Sequence, residues 1–279
     1  IQPSEFVKIS FVFFVAGMLY QNTSFVQVCI ASVIAAIHVL ILVISRDLGA
    51  ALIFFVTYVI MLYVATGKLL YFAGGTLAGV VASVVAYHLF SHIRVRVMAW
   101  QDPLAYIDKE GYQISQSLFA IGTGGWFGMG LYQGIPDKIP VVKQDFIFSA
   151  IAEEFGGVFA LCLILVCFSC FLMFLNIAMQ MKDQFYKLVA LGLGTVYAFQ
   201  VFLTIGGVTK FIPSTGVTLP LVSYGGSSLL CSMIIFAIIQ GLYILRQDEG
   251  DSDGSKTKKG RSEKRQANGF KKAAAEELT

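Results

Sequence analysis

Asp145 stands just ahead of a run of residues apolar enough to cross a bilayer, and Glu153 and Glu154 lie inside that run. Carboxylates at membrane depth are costly, and they mark functional positions by default. An acid in this place has two kinds of role. It can act on a substrate, or it can cap the helix and complement its dipole. Spacing alone leaves both open and favours the capping role. A glycosidase-like carboxylate pair is a poor fit. On one continuous helix Asp145 and Glu153 would be roughly 12 Å apart, whereas paired glycosidase carboxylates lie about 5–9.5 Å apart. A single general base suits the spacing better, and it needs a leaving group that departs unprotonated, such as a pyrophosphate. Three cations, Arg94, Arg96 and Lys143, flank the same region. Basic side chains at the lip of a bilayer suit an anionic lipid headgroup, and the planar fork of arginine suits phosphate oxygens.

The other candidates carry less. Glu153 and Glu154 read on pattern as structural acids that bond a neighbouring helix, and Asp47, at the start of another apolar run, reads the same way. Gly122–Gly130 looks like a nucleotide-binding loop but follows no strand of a βαβ unit, so it reads as bends in a loop. His38, His88 and His92 have no acid or cysteine partners at ligand spacing. Cys167 and Cys170 sit in an apolar run and read as packing residues rather than a zinc or disulfide pair.

The elements that must position these residues are membrane helices. Apolar residues make up 57% of the 279 and charged residues 13%, with a mean hydropathy of +0.75, against about 25% charged in a soluble domain. A bilayer core needs about 20 apolar residues per helix. Seven runs qualify, near 5–21, 25–45, 48–66, 69–90, 147–176, 186–208 and 225–245. The expected fold is therefore an all-α polytopic membrane domain over residues 1–245. A long polar loop, about 91–146, separates the fourth and fifth runs, and its middle, 111–121, reads as an amphipathic helix lying on or re-entering the membrane. A second loop, about 206–226, is rich in glycine and proline. Non-helical backbone at that depth is tolerated where it lines a cavity or is buried in protein.

Nine of the 20 Lys/Arg follow Leu245, so residues 246–279 are expected to form a disordered, basic, cytoplasmic tail. Counting spans back from that tail puts the loop with Asp145 on the outer face. The chain begins without methionine and runs straight into an apolar helix, which reads as the inside of a longer protein. These features together describe an outward-facing cavity for a polar, anionic substrate.

Several segments, in order, resemble the SEDS family (shape, elongation, division and sporulation), the RodA/FtsW/SpoVE-type proteins. They are Gln2-Pro3-Ser4-Glu5 with Lys8, Asp47-Leu48-Gly49, Arg94–Val97, Gly111-Tyr112-Gln113 through Gln116-Ser117, and Ala120–Gly125. Asp145-Phe146-Ile147-Phe148 with Glu153-Glu154, and Gly216–Pro220 through Ser227, complete the set. The resemblance implies a ten-helix fold of which this chain carries helices four to ten. It implies a peptidoglycan glycosyltransferase that polymerises lipid II into β-1,4-linked glycan at the outer face of the bacterial cytoplasmic membrane. A class B penicillin-binding protein is the implied partner. A lipid II flippase is the alternative, because broken helices and intramembrane acids also suit transport. The family's essential loop aspartate maps onto Asp145. Candidate substrate-binding residues are Arg94, Arg96, Lys143, Glu153, Ser223, Gly225 and Gly226. No resident metal is expected, although Asp145 could hold a divalent cation, Mg or Mn, against a pyrophosphate. One departure stands out: many members carry a Pro-Glu-x-His-Thr-like run before the aspartate, and Val141-Val142-Lys143-Gln144 occupies that place here.

Overall fold

A computed structural model describes residues 2–247. Among the described residues every regular element is helical. The apolar runs become α1 (Pro3–Leu19), α2 (Phe25–Ile44), α3 (Leu48–Thr66), α4 (Leu69–Leu89), α7 (Ile147–Gln180), α8 (Gln184–Val208) and α9 (Gly226–Gln247). Six of these are long and apolar enough to span a membrane. The exception is α1, with 17 residues, and it carries the charged pair Glu5 and Lys8. The seven expected runs are thus seven helices, within a few residues at each end. The expected tail lies, beyond Gln247, outside the described residues.

The long polar loop contains two further helices, α5 (Ser91–Gln101) and α6 (Tyr112–Gly124), and a short 3-10 turn at Pro136–Lys138. The expected amphipathic helix is α6. It turns Ile114, Ser115, Ser117 and Ala120 inward, and the Ser117 hydroxyl bonds the Ser149 hydroxyl at 2.6 Å and the Val208 carbonyl at 2.9 Å.

The core forms around α8, whose residues are the most enclosed of any span. Phe11 and Val15 of α1, Phe54 and Met61 of α3, Phe174 of α7 and Ile239 of α9 pack with Leu188 and Leu193 of α8. A second, smaller cluster joins Ile139, Val142, Phe146 and Phe148 to Ala120 and Val208. It seats the start of α7 against the long loop. By contrast, α4 has no buried residue.

The long apolar run is not one straight helix. α7 breaks at Gly156, where φ is 85° and ψ 172°, a conformation essentially reserved for glycine. The 125–130 loop fills the break. Met129 and Gly130 donate to the Glu153 and Glu154 carbonyls (2.9 and 3.0 Å), while the Gly125 and Trp126 carbonyls accept from Gly157 and Val158 (2.8 and 3.2 Å). The helix gives up its own ladder there, and the loop backbone replaces it. The glycine-rich stretch read as loop bends is therefore a wedge docked into a broken helix. A Cβ on Gly156 would come within 2.3 Å of the Gly128 nitrogen. Gly156→Ala in the full-length protein should destabilise it by about 2–3 kcal/mol or more, read as a lowered thermal midpoint in detergent. An unchanged midpoint would contradict the wedge.

Candidate active site

Asp145 lies in a turn, and α7 begins two residues later with Phe146 as N-cap, whose side chain makes no cap bond. Capping, the role favoured by spacing, is therefore not what Asp145 does, and the assumption of a helix continuous from Asp145 also fails. The buried Phe146 and Val142 anchor the turn from below. Val141 closes it with φ +53°, an uncommon conformation for a β-branched residue. The Asp145 carboxylate is half-buried and accepts no hydrogen bond among the described residues. Burial pushes its pKa above the ordinary value, and the Arg96 guanidinium pulls it part of the way back.

The second loop holds this turn through backbone groups. The Tyr224 amide donates to the Lys143 carbonyl at 2.8 Å, and the Ser223 hydroxyl donates to the Gln144 carbonyl at 2.5 Å. Ser223 Oγ also accepts from the Leu219 amide at 2.8 Å. The loop is itself held by α8. Gln200 Nε2 donates to the Thr218 carbonyl (3.0 Å), and Thr204 Oγ1 to the Val217 carbonyl (2.9 Å). Thr218 Oγ1 in turn bonds Ser228 Oγ of α9 at 2.7 Å. Gly216, at φ +74°, faces Asp145: a Cβ there would lie 3.5 Å from Oδ2. Glycine thus supplies the turn and sets no side chain against the carboxylate on that side.

Beyond Gly216 a polar cleft runs between α1, α3 and the second loop, lined by Ser4, Glu5, Lys8, Asp47 and Thr218 among others. Lys8 is buried and donates to Glu5 Oε2 and to Gln200 Oε1, both at 2.6 Å. Asp47 caps α3 by accepting from the Ala50 amide at 3.0 Å, and also accepts from Ser4 Oγ at 2.9 Å. The structural reading of Asp47 holds.

The candidate residues fare differently. Arg96 belongs to the Asp145 group; its Nη1 donates to the Ser214 carbonyl at 3.1 Å. Arg94 is exposed and turns toward the end of α4, where it donates to the His88 carbonyl at 3.0 Å. Lys143 keeps an exposed side chain beside Asp145 and is held by its carbonyl. The Ser223 hydroxyl is already engaged on both sides. Gly225 packs against Ser228 and Thr218, and Gly226 opens α9. Glu153 is buried under the loop and accepts from the Ile135 amide at 3.3 Å, its other oxygen unpartnered. Sequence reasoning did not offer Glu5, Lys8 and Gln200 as site residues. Their signal was present, since an acid and a base three apart in an apolar run face one another.

The chain matches the FtsW/RodA/SpoVE family model, described as cell cycle protein, over residues 1–247. It belongs to that family. It is 38% identical over 255 residues to the peptidoglycan glycosyltransferase RodA of Mycobacterium tuberculosis, covering 86% of this chain and 54% of that one. With the probable peptidoglycan glycosyltransferase FtsW of Aliivibrio salmonicida the identity is 34%, covering 86% and 62%. Among solved structures, a peptidoglycan synthase complex that coordinates polymerization and crosslinking superposes with a TM-score of 0.72 at 25% identity, covering 89% of this chain and 70% of that one. The chain spans about half the length of the RodA relatives it matches. Membership and the helical spans make it a multi-pass membrane protein.

Two outcomes follow from this geometry. Lys8→Ala strands Glu5 and Gln200 and should cost the full-length protein about 3–5 kcal/mol; the double change Glu5→Gln with Lys8→Met should recover much of the lost thermal midpoint. The second concerns pH. A raised pKa means the folded protein holds the Asp145 proton more tightly than the unfolded chain does. The associated stability is fully present below the ordinary value of 3.8 and is lost as pH rises through the folded value. Asp145→Asn should therefore melt above the parent protein at neutral pH, with the gap closing as pH falls below that ordinary value. A variant less stable than the parent at neutral pH would contradict this.

Proposed function

We propose that the full-length protein is a peptidoglycan glycosyltransferase polymerising lipid II, with Asp145 as its general base. The observation that carries the reading is the state of that carboxylate. It is half-buried, accepts no hydrogen bond among the described residues, is raised in pKa, and has no side chain set against it at Gly216. A base so placed has no internal bond to break before it accepts a proton. The relatives named as peptidoglycan glycosyltransferases support the reaction class.

In the proposed step the 4-hydroxyl of the acceptor GlcNAc gives its proton to an Asp145 oxygen as its own oxygen attacks the anomeric carbon of the lipid-linked glycan. The bond from that carbon to the pyrophosphate oxygen breaks, undecaprenyl pyrophosphate leaves with the electron pair, and inversion gives the β-1,4 bond. Arg96 is the cation best placed to offset the charge that grows on the leaving group, with Lys143 on the rim. Arg94, turned to the His88 carbonyl, has no part in this step. Among the described residues no three His, Cys, Asp or Glu side chains gather into a metal site. A divalent cation here would be held by Asp145 and the pyrophosphate oxygens, as magnesium is often held, and would neutralise leaving-group charge. The active face is assigned to the outer side of the cytoplasmic membrane, with the tail inside, on the placement of Lys and Arg. The solved complex that couples polymerization to crosslinking supports a crosslinking partner of the class B penicillin-binding type.

The test is polymerisation of labelled lipid II by the purified full-length protein in detergent. Asp145→Ala should lower glycan synthesis by about 10²–10⁴-fold, the usual contribution of a general base. Near-parental polymer from the variant would overturn the assignment. Headgroup translocation in sealed vesicles without any polymer would favour the flippase instead.

A further inference from the structure

Residues 111–136 contain no Asp, Glu, Lys or Arg, whereas Asp108, Lys109 and Glu110 precede them and Asp137 and Lys138 follow. The same stretch exposes large apolar side chains: Trp126 is 72% exposed, Phe127 89% and Tyr132 86%, with Leu131 beside them. An uncharged segment presenting three aromatic rings outward, inside an otherwise charged loop, calls for a non-aqueous neighbour.

Its height in the molecule identifies that neighbour. In α7 the uncharged run lies between Glu154 and Lys182. Its continuous helix, from the break at Gly156 to Gln180, is about 36 Å long at 1.5 Å per residue, more than the roughly 30 Å hydrocarbon core and within the full bilayer thickness of about 40–45 Å. The loop is fastened to one end of that run, through the Glu153 and Glu154 carbonyls and the Gly157 and Val158 amides. The aromatic tip therefore lies level with the boundary between headgroups and acyl chains, where Trp and Tyr concentrate. Phe155 and Phe159 of α7 are exposed at the same level and continue the apolar surface.

We propose that Trp126, Phe127, Leu131 and Tyr132 form an interfacial anchor that seats the long loop in the headgroup–acyl boundary of the bilayer that α7 crosses. The occupant of this surface is phospholipid, not another protein. The anchor fixes more than itself. Its backbone is held to α7, the Glu153 carboxylate holds Ile135 next to it, and ten residues later the chain reaches Asp145. The bilayer surface thereby sets the height of the carboxylate. That consequence rests on the function proposed above, but the anchor itself does not.

The experiment reads depth, not catalysis. Full-length protein and its Trp126→Phe variant are reconstituted in phosphatidylcholine–phosphatidylglycerol vesicles, and the difference in tryptophan emission isolates residue 126. Lipids brominated near the carbonyl end of the acyl chains should quench more than half of that difference. Lipids brominated near the chain ends should quench less, and aqueous iodide little. Phe127→Trp in the Trp126→Phe background should report the same depth and guards against a local disturbance in the first variant. Strong iodide quenching would mean an aqueous loop and would overturn the proposal. So would protection from every quencher, which would mean a protein partner or second copy on the patch, and so would strongest quenching at the chain ends. Because no substrate is present, a lack of polymerase activity would not alter the outcome.

Discussion

A peptide group taken out of water must find its hydrogen-bonding partner inside the protein, and in this chain that requirement governs the site. Two stretches of non-helical backbone lie among the helices: the 125–130 wedge and the loop from Thr209 to Gly225. Each survives because a helix answers it. α7 opens at Gly156 to receive the wedge, and α8 spends Gln200 and Thr204 on the carbonyls of the second loop. With those groups satisfied, the second loop can hold the Asp145 turn in place.

The buried charges obey the same rule more strictly. Lys8 is nearly inaccessible, and its ammonium is met by both Glu5 and Gln200. Gln200 therefore joins two tasks: its carbonyl oxygen neutralises the demand of Lys8, and its amide nitrogen holds Thr218. Glu5, Lys8, Gln200, Thr218 and Ser228 form a continuous chain of contacts across α1, α8, the second loop and α9. Rigidity passes from a desolvated ion pair to the loop, and from the loop to the turn before α7. Asp145 stands outside this network: among the described residues its carboxylate accepts no hydrogen bond.

Much of this was legible in the residues. Hydropathy marked all seven apolar helices to within a few positions, because a lipid-facing helix has one composition whatever its neighbours are. The uncharged, Ser-rich face of 111–121 marked α6 in the same way. The break at Gly156 was not legible, because a glycine in an apolar helix looks the same whether it bends or packs. What decides it is a loop some thirty residues earlier. Asp145 was legible as an exceptional acid, but not its freedom from capping, which depends on where α7 begins. Arg94 and Arg96 looked equivalent in sequence. They diverge because residues two apart on a helix point in different directions, so that one reaches Ser214 and the other His88.

The turn before α7 is held by the carbonyls of Lys143 and Gln144, not by their side chains. Every amino acid carries that carbonyl. Selection on the geometry therefore exerts no direct pressure on which side chains stand there, provided the backbone can follow the same path. Either side chain at Lys143 or Gln144 can therefore be exchanged without loss of the two bonds that hold the turn, whereas Val142, packed in the small core cluster, has no such freedom.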